Sequence, residues 1–159
     1  MVKRLGLFIL FILSIHVQAQ STLTYSSFTD LQTTLLNDKE NVIVLNFWAT
    51  WCKPCVAELP DFEKINADFK DKGVKVVLAN LDFHSQTPTV VPEFILKRNI
   101  QSSVVHITDQ DPNDYINKAD VSWSGAIPAT VIYFKAEKIW FFEGQIDYET
   151  LKSIISKYI

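Results

Sequence analysis

The stretch Asn46-Phe47-Trp48-Ala49-Thr50-Trp51-Cys52-Lys53-Pro54-Cys55 carries both cysteines of the chain, separated only by Lys53 and Pro54. On its N-terminal side, "NVIVLNFW" (41–48) is a short, nearly continuous apolar and β-branched run, the mark of a strand buried on both faces. On its C-terminal side, Val56, Leu59, Phe62, Ile65 and Phe69 recur every three or four residues. They predict a helix from about Lys53 to Lys72, stopped by Gly73 and kinked at Pro60. A second buried strand follows at Val74–Phe83. Strand, helix, strand with both strands apolar throughout is a βαβ unit, which implies a parallel pair and a right-handed crossover. The cysteines therefore fall where a strand ends and a helix begins, the place where open α/β sheets collect their chemistry.

The rest of the chain extends that unit. "SFTDLQTTLL" (27–36) is a helix with a serine cap, and an edge strand fits around Leu23. A helix from about Val90, a strand at Ser103–Thr108 and a short helix near Asp114–Lys118 come next. "ATVIYF" and "KIWFFEG" form a hairpin joined by "KAE", and a helix capped by Asp147 closes the chain. The order is that of an α/β layer fold with a central mixed β-sheet flanked by helices.

Composition narrows the classes. A chain of 159 residues, nearly half of them apolar, holds one domain with a real core. Residues 1–20 begin with Lys3 and Arg4, continue with an apolar run from Leu5 to Val17, and exit through "QAQST". That is the pattern of a signal peptide cut near Ala19 or Gln20, leaving 21–159 as the domain. The run is shorter than the roughly 20 residues of a membrane span, so a membrane association requires that the segment stay uncut as an anchor. Loss of Lys3 and Arg4 takes the formal net charge from −3 to about −5. A mildly acidic domain with no basic run is a poor partner for nucleic acid.

Three uses of the cysteine pair remain open on residue grounds. A structural bridge closing so short a loop stabilises by only about 2 kcal/mol, against about 4.7 for a hundred-residue loop. A metal clip would recruit His84 or His106 as further ligands, as in a copper-handling protein, although no histidine lies near the pair in sequence. A thiol–disulfide switch uses the position itself. Cys52 at a helix N-terminus faces N–H groups and the positive dipole end, which lower a thiol pKa from about 8.5. Cys55, one turn on, is placed to resolve a mixed disulfide, and Pro54 sits in the first turn at no hydrogen-bond cost.

The motif "LNFWATWCKPCVAELP" resembles the thioredoxin superfamily, and within it the TlpA/ResA-like extracytoplasmic branch. Asn46 stands where thioredoxins carry a buried aspartate, Glu58 and Pro60 match the branch after the second cysteine, and "GAIPAT" (125–130) is similar to the cis-proline loop. The resemblance implies a thioredoxin-like fold with an insertion, about residues 101–124, before that loop. It implies a thiol–disulfide oxidoreductase reducing protein disulfides, with Cys52 as attacking and Cys55 as resolving thiol and a redox disulfide between them. Pro128 then lies against Cys52, and Ile127 offers its backbone to an extended substrate. Glu58 serves as a carboxyl acting on the resolving thiol. Lys53 aids ionisation of Cys52 or is simply a solvated charge. Trp51 is a surface contact and Trp123 a specificity element just ahead of the proline loop. Trp48 and the aromatics of "KIWFF" are core, His84 is a rim residue and His106 structural. No cofactor and no metal are expected. The partners are a protein or peptide disulfide and an upstream thiol electron donor, in the periplasm. A binder that uses the proline loop without the cysteines is a weaker alternative.

Overall fold

The computed structural model describes residues 22–108 and 111–159. The expected leader, residues 1–20, lies outside them. Among the described residues six strands form one sheet: β1 (Leu23–Tyr25), β2 (Val42–Trp48), β3 (Val74–Asn80), β4 (Ser103–Ile107), β5 (Ala129–Phe134) and β6 (Glu137–Glu143), in the order β1-β4-β3-β2-β5-β6. β2 is central, parallel to β3 and antiparallel to β5. The helices are α1 (Phe28–Leu31), α2 (Lys53–Phe69), α3 (Val90–Arg98), α4 (Pro112–Ala119) and α5 (Tyr148–Ile155).

Alternation along β2 sorts the core into two layers. Val42, Val44 and Trp48 join Leu59, Phe62 and Ile65 of α2 and Leu151 and Ile155 of α5 on one face. Ile43, Leu45 and Phe47 join Phe28 and Leu31 of α1 on the other. Parity places Asn46 on the α2 face, in the middle of an otherwise apolar layer, and this sets up the site described below.

Local differences from the sequence reading have local causes. α1 starts as expected, with Ser27 Oγ accepting from Asp30 N at 3.1 Å, but widens into a π-helical turn over Gln32–Leu36. Removing the cap by Ser27→Ala should lower stability by about 1 kcal/mol, read as a shift in the urea midpoint at unchanged slope. α2 runs through Pro60 and ends at Phe69; a 3₁₀ turn at Lys70–Lys72 leads to Gly73, whose φ of +80° suits glycine. β3 stops at Asn80, short of Phe83, because Asp82 N turns to donate to Asn80 Oδ1 at 3.1 Å and leaves the ladder. The hairpin turn is two residues, Lys135 and Ala136, both at positive φ, the geometry that matches strand twist in a tight hairpin. β4 is an interior strand between β3 and β1, so the segment read as an insertion supplies part of the sheet as well as α4.

Candidate functional site

β2 delivers the chain to the sheet's C-terminal edge and α2 carries it away. Between them, Cys52 is the N-cap of α2, with extended backbone, and Pro54 lies in the first turn. Cys52 and Cys55 are joined as a disulfide. Cys55 N–H points at Cys52 Sγ from 3.3 Å, so the first turn presents a donor to any charge that develops there. Cys52 is 5% exposed and Cys55 is wholly buried, which makes Cys52 the sulfur an incoming group can reach.

Opposite the cysteines the Ile127–Pro128 peptide is cis, and Ile127 O lies 3.7 Å from Cys52 Sγ. Sequence positions 52 and 127–128 therefore meet in space. Lys53 and Trp51 lie exposed on either side of Cys52 in the chain.

Behind the disulfide is a buried polar network. Glu58, one turn beyond Cys55, has no exposed surface. Its Oε1 accepts from Asn46 Nδ2 at 2.8 Å and its Oε2 from Ile146 N at 2.9 Å. Asn46 Nδ2 also reaches Thr130 Oγ1 at 3.2 Å, so the network ties β2, α2, the strand after the proline loop and the approach to α5. Burial pushes the Glu58 carboxyl up from 4.5 to about 7; the bonds from Ile146 and Asn46 oppose that rise, and the charge of Asp61 adds to it. The carboxyl thus changes charge near neutrality, a property suited to passing protons beside a thiol. Asn46 cannot titrate, but it holds the group that does.

Trp123 is not placed as a substrate contact. It is 4% exposed, its ring centroid lies 4.5 Å from that of Phe47, and its Nε1 donates to Ala126 O at 2.7 Å. It supports the proline loop from beneath. Trp48 is core, and Trp140 and Phe142 stack on each other at 5.8 Å, with Phe142 43% exposed and so not core as expected. His106 is buried and its ring stacks on that of His84 at 5.9 Å. Both line a cavity of about 370 Å³ with Thr22, Thr87 and Pro92, and neither cysteine lines it. Among the described residues no group of three or more His, Cys, Asp and Glu is arranged to hold a metal.

Sequence reasoning overlooked Asp82 and Thr50. Thr50 N and Thr50 Oγ1 donate to the two carboxylate oxygens of the buried Asp82 at 2.8 and 2.5 Å, which fixes the loop ahead of Cys52. The available signal was an aspartate closing an apolar strand.

The sheet order, the N-capping cysteine and the facing proline define a thioredoxin-like fold with a closely spaced pair of sulfurs at its active edge. Residues 18–141 match the family model described as the AhpC/TSA family, and the chain belongs to that family. It is 40% identical over 86 residues to the thiol-disulfide oxidoreductase ResA of Oceanobacillus iheyensis, a match covering 54% of this chain and 43% of that one. The chain thus spans less than half the length of that curated relative. A thioredoxin of Rickettsia prowazekii is 33% identical over 85 residues, covering 48% of this chain and 80% of its own. Among solved structures, StoA from Bacillus subtilis superposes with a TM-score of 0.59 at 26% identity, covering 73% of this chain and 83% of StoA. A thiol:disulfide interchange protein from Chlorobium tepidum gives 0.64 at 21% identity, covering 76% and 81%.

Proposed function

We propose that this protein is an extracytoplasmic thiol–disulfide oxidoreductase that reduces disulfides of proteins or peptides. The observation that carries this is Cys52, the less buried of the two sulfurs, at a helix N-terminus and joined to the wholly buried Cys55 one turn away. In the dithiol form, the Cys52 thiolate attacks one sulfur of the substrate disulfide; an S–S bond forms, the substrate S–S bond breaks, and a substrate thiolate leaves. The Cys55 thiolate then attacks Cys52 Sγ, releasing the second substrate thiolate and closing the Cys52–Cys55 disulfide. Two electrons pass to the substrate, and its thiolates take up two protons. A dithiol donor restores the reduced form by the reverse exchange.

The residues divide the work. Cys52 is the nucleophile, favoured as an anion by the helix terminus and by Cys55 N–H. Cys55 resolves. Glu58 is assigned as positioning residue and proton acceptor for the resolving step from its place one helical turn beyond Cys55, together with a buried carboxyl pushed up to about 7. Ile127 offers a backbone strip beside Cys52, and Pro128, Pro54 and Trp51 shape the mouth. Lys53 adds positive charge at the same rim. The extracytoplasmic part rests on the sequence of residues 1–20; among the described residues no helix is long and apolar enough to cross a membrane. The ResA relative, named a thiol-disulfide oxidoreductase, supports the reaction class.

Direction is tested with two substrates. Kept reduced by dithiothreitol, the protein should speed precipitation of insulin by cutting its interchain disulfides, and Cys52→Ser should abolish the effect. Faster oxidation of reduced ribonuclease by the disulfide form, without insulin reduction, would reverse the proposed direction.

A further inference from the structure

The rim of the site is organised by a single buried carboxylate. Asp82 lies just past the end of β3. Beyond its two bonds from Thr50, it accepts from Asn80 Nδ2 at 2.6 Å. Leu81 N donates to Trp48 O at 2.8 Å alongside. Segments 48–50 and 80–82 are thus stapled together. The next residue on each is an aromatic facing water: Trp51 is 58% exposed and Phe83 is 64% exposed.

Isolated exposed apolar residues are ordinary on protein surfaces. This pair differs in its setting. Both follow residues bound through one carboxylate, and Trp51 is the immediate neighbour of Cys52. Phe83 follows the residue whose carboxylate holds Thr50, two positions before Cys52, so a side chain flanking a substrate sulfur over Cys52 is within reach of this rim. Contact there removes aromatic surface from water at both partners.

We propose that Phe83 is a specificity-determining residue which, with Trp51, contacts an apolar side chain beside the substrate's disulfide. The preferred substrate is then an extended protein segment with leucine, phenylalanine or a similar residue next to its cysteine. This inference rests on the dithiol reading above. Phe83 itself moves neither electrons nor protons.

The test uses two short peptides whose single cysteine is joined as a mixed disulfide to 5-thio-2-nitrobenzoate, flanked by leucine in one and by serine in the other. Reduced protein displaces the coloured thiolate, followed by its visible absorbance. The wild-type protein should react roughly tenfold faster with the leucine peptide, the scale of one partly buried apolar contact. In Phe83→Ala the ratio of the two rates should fall toward one, and in Phe83→Leu most of it should return. Phe83 is exposed, so both variants should fold, checked by circular dichroism. Equal rates for the two peptides with wild-type protein, or an unchanged ratio in Phe83→Ala, would overturn the inference while leaving the dithiol reading standing. No release from either peptide would overturn both.

Discussion

Cys55→Ala should accumulate a covalent adduct through Cys52 when mixed with an oxidised protein substrate. The mixed disulfide is normally cleared by a sulfur held one helical turn away, within the same first turn of α2. An attacking group fixed in that geometry acts at an effective concentration of about 10⁵ M or more. Without it, only free thiols at millimolar concentration resolve the adduct, so its lifetime should rise by several orders of magnitude. A non-reducing gel with peptide mass mapping reads this directly. Cys52→Ala should give no adduct, because Cys55 is wholly buried. Equal adduct from both variants would mean that the two sulfurs are not distinct in role. A chain that uses its cysteines only as a bridge gives none from either.

The second large effect belongs to Glu58. Its folded pKa of about 7 lies above its ordinary value of 4.5. A carboxyl raised in this way favours the folded state below 4.5, where it is protonated whether folded or not, and withdraws that support as the pH rises to about 7. The difference amounts to about 3 kcal/mol. In the disulfide form neither cysteine titrates, but burial lowers the pKa of His106 from 6.5, which adds a slope of opposite sign in the same window, so the carboxyl's share is read as the difference between the wild-type protein and Glu58→Gln in urea unfolding at a series of pH values. Relative to Glu58→Gln, the wild-type protein should lose stability between pH 4.5 and about 7. The variant has a way to keep its hydrogen bonds. Among the described residues Asn46 Oδ1 has no partner, so a flipped Asn46 amide can accept from the amide nitrogen introduced by the substitution, while the introduced carbonyl oxygen accepts from Ile146 N. In the reduced protein the same substitution should alter the pH dependence of disulfide resolution. A variant with wild-type pH profiles in both measurements would reduce Glu58 to a packing residue.

Much of this architecture could be read from local pattern. "VIVLNFW" announced a strand buried on both faces, and it lies at the centre of the sheet. Ser27 and Asp147 cap α1 and α5 as their positions suggested, by accepting from Asp30 N and Thr150 N. The pairing of Cys52 with the proline loop needed the resemblance to a known motif, since no local rule links positions 75 apart. Glu58 was legible as a carboxyl one turn from Cys55, but its partners were not. Asn46 meets it through strand parity and Ile146 through chain return, and both are tertiary facts. Trp123 was singled out for its place just ahead of the proline loop; that Phe47, Tyr115 and Phe141 close around its ring is a tertiary fact. Of the Asp82–Thr50 latch only the aspartate closing an apolar strand was a signal; its partner Thr50 lies 32 positions away and is a tertiary fact.

Everything proposed for the reaction depends on Cys52 ionising readily while Cys55 does not. The direct measurement is the alkylation rate of each cysteine in the freshly reduced protein, mapped by mass across a pH series from mildly acidic to strongly basic. Cys52 should react first, with a midpoint clearly below the value of about 8.5 for a free thiol, and Cys55 should stay protected until much higher pH. Alkylation of Cys55 ahead of Cys52, or a Cys52 midpoint at or above that of a free thiol, would contradict the account.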